Sequence, residues 1–143
     1  MKRFGFSCFA TVMAMTAFPL FAQETDISGK ISVELNAAQT TEGACTLTFM
    51  ITNGLKSEVE RAVYETVLFD KNGQVNRLTL FDFGTLPAAR PRVRQFSVPQ
   101  VTCDQLGRVL LNGAHACTAE GLADDICSTA VVPSSRIEIE VLG

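Results

Sequence analysis

The amino-acid sequence predicts an all-β protein, an immunoglobulin-like antiparallel β-sandwich of about seven strands held by two disulfides. Three observations predict it. Apolar and polar residues alternate with period two in several short segments, turn signals separate those segments, and no stretch shows convincing helical spacing. Four cysteines remain once an N-terminal leader is set aside, an even number in a chain with an export address.

The leader comes first. Lys2 and Arg3 precede the apolar run Phe4 to Ala17, and Phe18-Pro19-Leu20-Phe21-Ala22 leads into the polar Gln23-Glu24. This is the form of a secretory signal peptide cut near Ala22, with an N-terminal membrane anchor as the alternative. Cys8 lies inside the apolar run, too far upstream of the cut to carry a lipid. Residues 1–22 are therefore set apart, and 23–143 are read as one domain in the periplasm.

The elements follow in order. Ile31, Val33 and Leu35 alternate with Ser32, Glu34 and Asn36 in a half-buried first strand, and Asn36 to Gly43 is a polar connection. Cys45, Leu47, Phe49 and Ile51 share one face against Thr46, Thr48, Met50 and Thr52, and Asn53-Gly54 ends that strand. From Glu58 to Asp70, Ala62, Tyr64, Thr66 and Leu68 oppose Val63, Glu65, Val67 and Phe69. Asp70-Lys71-Asn72-Gly73 is a hairpin turn, and Val75 to Phe83 is its antiparallel return. Pro87 and Pro91 break the pattern by removing donors. Arg92 to Val98 resumes a strand closed by Pro99, and Gly107 to Asn112 forms a short one. Ile137, Ile139 and Val141 alternate with Arg136, Glu138 and Glu140 in a last strand.

The cysteines are expected to form structural disulfides. Cys117–Cys127 would tie down a polar loop, and Cys45–Cys103 would join an early strand to a late one. Cys103–Cys117 stays open as an alternative. None of the four is spaced Cys-x-x-Cys, which argues against dithiol redox chemistry and a structural zinc site.

Composition narrows the function classes. Without Lys2 and Arg3, ten Lys and Arg face fifteen Asp and Glu, a formal charge of −5 that argues against nucleic-acid binding. No long apolar stretch follows the leader, so no membrane span is expected after cleavage.

The runs Leu47-Thr48-Phe49-Met50-Ile51-Thr52-Asn53, Tyr64 to Val75, Leu86-Pro87 and Phe96-Ser97-Val98 resemble FxLYD-type and related extracytoplasmic immunoglobulin-like domains. The resemblance spans about residues 44 to 98 and departs from the pattern at Leu68-Phe69-Asp70, where a Tyr is preferred before Asp. It implies a sandwich fold and a structural or binding role, with no catalytic residues to carry across.

The candidate sites are few. His115 is the single histidine, near Cys117, with no nucleophile elbow to serve. Asp124 and Asp125 are an adjacent acidic pair without the spaced oxygens of a calcium loop. All three are weak metal candidates, and no cofactor is expected. Arg90, Arg92 and Arg94 occur at alternate positions and would project from one face, with Arg77 and Arg108 as further candidates beside them. Such a stripe would hold an acidic partner or an anionic headgroup. Pairing with Glu58 and Glu60, or with Glu138 and Glu140, is the plainer reading. The leading expectation is a non-catalytic interaction or accessory subunit of an envelope assembly with a protein partner. A small-ligand or metal carrier and a disulfide-stapled inhibitor of an external enzyme are the alternatives.

Overall fold

The computed structural model describes residues 25–143, so the leader and its cleavage point near Ala22 lie outside the described residues. Eight strands run in order: β1 (Ile31–Thr41), β2 (Ala44–Asn53), β3 (Val59–Asp70), β4 (Val75–Leu86), β5 (Arg92–Pro99), β6 (Leu106–Thr118), β7 (Val131–Ser135) and β8 (Glu140–Leu142). A single 3-10 turn, Cys103–Gln105, precedes β6, and a short helix α1, Ile126–Thr129, precedes β7. The strands form two four-stranded sheets, β5-β2-β1-β7 and β4-β3-β6-β8, packed as an immunoglobulin-like sandwich.

Period-two alternation builds the core. Ile31, Val33 and Leu35 of β1 and Cys45, Leu47, Phe49 and Ile51 of β2 are buried, with their neighbours turned outward. They meet Tyr64 and Leu68 of β3, Phe81 and Phe83 of β4, and Val109 and Leu111 of β6 from the facing sheet. Phe49 is the hub, edge-on to Phe81, Phe83 and Phe96 at 5.7–6.0 Å, a favoured aromatic geometry. Tyr64 is fully buried in the core. Its ring packs on Phe83, and its hydroxyl donates to the Cys127 carbonyl at 2.7 Å. Burial raises the phenol's pKa.

Both disulfides form in the expected pairing, Cys45–Cys103 and Cys117–Cys127. Cys103 sits in the 3-10 turn rather than on a late strand. That bridge closes 58 residues, a constraint on the unfolded chain worth about 4 kcal/mol.

Three expectations are corrected. The sheets are not wholly antiparallel, because β1 pairs β7 and β6 pairs β8 in parallel. The strand expected over 136–141 forms only at its end: residues 136–139 bend across from β7, which precedes them in the first sheet, and Glu140 and Val141 enter β8 in the second. Alternation persists through the crossing, where Ile139 is buried and Ile137 packs on the core, because both sheets cover that segment. One helical turn, α1, also stands where none was expected.

Two of the residues that carried the family resemblance, Asn53 and Asp70, are turn staples. Buried Asn53 donates from Nδ2 to Ser57 O and Leu86 O, and its Oδ1 accepts from Leu55 N. It thereby locks the end of β2 to the Leu86-Pro87 corner. Asp70 Oδ1 accepts from Asn72 N and Gln74 N, setting the β3–β4 hairpin, with Gly73 at φ 81°. Gly54 is required for another reason: a Cβ there would collide with Ile27 O, because residues 27–30 hydrogen-bond across it.

Candidate interaction surface

β5 and β4 are the free edges of the two sheets on one side of the sandwich, and Arg94 bridges them. On β5, Arg92, Arg94, Phe96 and Val98 share the inward parity, while Val93, Gln95 and Ser97 are exposed outside. Phe96 stacks on Phe81 of β4, centroids 4.1 Å apart with rings 4° from parallel, and closes the middle of the seam. Beside it, Arg94 Nε donates to Phe83 O at 3.0 Å. Arg92 lies two residues along, half-buried, and Arg90 is exposed in the turn before the strand.

The stripe of Arg90, Arg92 and Arg94 and the further candidates Arg77 and Arg108 are thus not brought together. Arg92 and Arg94 alternate as expected, but they point inward to the seam and not out from a face. Arg77 sits on the inward parity of β4, six residues from Phe83, so about 20 Å of strand separates it from Arg94. Arg108 lies on β6 and pairs with Glu140 at 2.8 Å, one of the ion pairs that the plainer reading anticipated. Arg136 pairs with Glu34, whose carboxyl the Arg136 hydrogen bond holds below its ordinary range. Arg90, Arg92 and Arg94 have no carboxylate within 4.0 Å among the described residues.

The remaining candidates stand apart from this seam. His115 is exposed within β6, unpaired between Ala114 and Ala116 in a bulge against β3. Asp124 and Asp125 are exposed on the loop that Cys117–Cys127 closes. That loop's base is held by the Tyr64 hydroxyl on Cys127 O and by Ser128 Oγ accepting from Ala114 N. Among the described residues no three His, Cys, Asp or Glu side chains converge on a point that could hold a metal. An open groove of about 980 Å³ borders Met50, Thr52 and Pro91, with Asp26 and Arg136 its charged lining residues.

Sequence reasoning missed the outer face of the second sheet. Leu78, Val67, Leu110 and Leu142 stand opposite one another in register across β4, β3, β6 and β8. Val63 and Val67 are buried without belonging to the inter-sheet core. Leu78 and Leu80 at the β4 end of this face are 64% and 48% exposed. The signal was present as Val67 and Leu78 on the parity opposite Leu68 and Phe81, but a strand pattern with both parities apolar does not say which is covered.

No family model matches the chain, and no curated protein matches it. Among solved structures it is similar to IrmA from Escherichia coli, at 14% identity over 73% of this chain and 90% of that one, with a TM-score of 0.56. The likeness supports the fold.

Proposed function

We propose that this chain is an exported, non-catalytic interaction protein, an accessory subunit of a periplasmic envelope assembly that grips an acidic protein surface through Arg90 and Arg92. The observation that carries the reading is the charge arrangement: in a chain with more acids than bases, these guanidinium groups stand beside an open sheet edge with no carboxylate of their own. Planar, always-charged guanidinium groups suit carboxylate recognition. Two disulfides support export. The Asn53 and Asp70 turn staples support kinship with FxLYD-type domains, which are regarded as structural or binding modules.

The test is a quantitative pull-down from solubilised envelopes with the oxidised protein, using Arg90→Glu/Arg92→Glu as control bait. Arg90 is exposed and Arg92 half-buried at the start of β5, and neither belongs to the buried core, so the control should stay folded. One protein retained by the native bait and lost from the control is the expected result. Identical capture by both baits would overturn the reading.

A further inference from the structure

We propose that β4 is the edge through which two copies of this chain join, pairing antiparallel about a twofold axis at Thr79 to make one eight-stranded sheet. This inference goes beyond the acidic partner argued above and does not depend on it.

The strand's own edge is the first observation. β4 pairs β3 on one side and, among the described residues, has no strand neighbour on the other. Its twelve residues contain no proline and no lysine, and its single cation is Arg77. Val75, Leu78 and Leu80, three of the large apolar side chains exposed in the described residues, lie on this one strand. Its Arg77–Asp82 stretch pairs β3 in unbroken register, stops short of the Phe83 carbonyl that Arg94 occupies, and presents a row of backbone donors and acceptors that another extended strand satisfies.

Self-complementarity says which strand. Two copies related by a twofold normal to the sheet pair residues of the same parity, so the axis must pass through a residue. With the axis at Thr79, Leu78 faces Leu80 of the second copy twice and Thr79 meets its own copy, all within Arg77–Asp82, the stretch of β4 that pairs β3 in unbroken register. The exposed leucines at the centre of the outer face then meet each other. An axis at Leu78 sets Leu80 against Asn76, and one at Leu80 sets Leu78 against the Asp82 carboxylate. The Thr79 register also extends the row of Leu142, Leu110, Val67 and Leu78 into Leu80 of the second copy. No like charges meet in it: Arg77, the strand's one cation, falls opposite Phe81 of the second copy. Arg94 lies at the level of Phe83, four residues or about 14 Å from the axis, so the guanidinium groups of the two copies fall at opposite ends.

The experiment is sedimentation equilibrium on the oxidised protein over a broad concentration range. A reversible monomer–dimer equilibrium is expected, and Leu80→Lys, an exposed change that leaves the core intact, should weaken it roughly tenfold or more. Cross-linking fixes the register. Leu78→Cys mixed with Leu80→Cys should give a covalent heterodimer, while neither variant alone should cross-link to itself. A monomer at every concentration, a dimer indifferent to Leu80→Lys, or self-cross-linking of Leu78→Cys would each overturn the proposal. None of these outcomes touches the Arg90 and Arg92 reading, which the pull-down tests separately.

Discussion

The edges β5 and β4, on one side of the sandwich, lie side by side and are built on opposite plans. β5 is bounded by Pro91 and Pro99 and turns Arg92 and Arg94 inward, so any strand added beside it would bury two guanidinium groups. β4 turns Thr79, Phe81 and Phe83 inward with only Arg77 near its start, and it carries Leu78 and Leu80 outside. Inward charges and flanking prolines are recognised ways of keeping an edge from pairing. The difference shows that one sandwich can protect one edge and leave its neighbour ready to pair. It also shows that an arginine on an edge strand can guard the edge as well as bind a partner. The two roles divide here: Arg94 is engaged with Phe83 O, whereas Arg90 stays exposed.

The contrast breaks most severely if the seam between the edges is opened. Phe96→Ala removes the stack on Phe81 and the edge contacts with Phe49 and Phe83. Because Phe96 is only half-buried, the loss should fall at the low end for such truncations, about 3 kcal/mol, read as a lower urea midpoint with unchanged slope. A loss below about 1 kcal/mol would mean that the aromatic stack does not hold β5 to β4.

Removing the guard is the next test, with a smaller effect on stability. Arg94→Leu loses the bond to Phe83 O but gains apolar cover, so stability should change by about 1 kcal/mol. Association should change more. Sedimentation velocity should reveal species larger than the wild type's as β5 becomes a second pairing edge. An unaltered distribution would show that Pro91 and Pro99 alone keep β5 apart.

Much of this plan was legible in the residues. Strand parity and the hairpin at Asp70 follow from alternation and turn chemistry, whereas cysteine spacing left Cys103–Cys117 open beside the pairing that forms. The arginine face was misread although the data were at hand: Arg92 and Arg94 share parity with Phe96 and Val98, and large apolar residues at those positions mark the inward side. The bend over residues 136–139 was not legible. Alternation through Ile137, Ile139 and Val141 reports that both sheets cover the chain there, and period two is silent on which sheet supplies the hydrogen bonds. The outer row on β3 and β6 was hidden for a related reason, since its members are far apart in sequence and only register brings them together.

The opposite side of the sandwich sharpens the comparison by a small, signed effect. There the chain crosses between sheets at residues 136–139, and Arg136 fastens the crossing: its backbone N–H donates to Leu35 O, and its Nε donates to Glu34 Oε1 at 2.6 Å. The Arg136 hydrogen bond lowers the Glu34 pKa below its ordinary 4.5, against an opposing cost of burial, with Asn36 helping. A carboxyl depressed in the folded state adds stability above its unfolded pKa and loses it as pH falls through the folded value. Arg136 is largely exposed, so the contribution is screened to about 0.2–1 kcal/mol. Wild type should therefore exceed Glu34→Gln by that amount at about pH 7, and the gap should close as Glu34 protonates below its ordinary pKa. Urea titrations of both proteins at neutral and acid pH check it. A gap that persisted in acid would assign the stabilisation to side-chain packing at β1 rather than to the ion pair, leaving the crossing held by backbone alone.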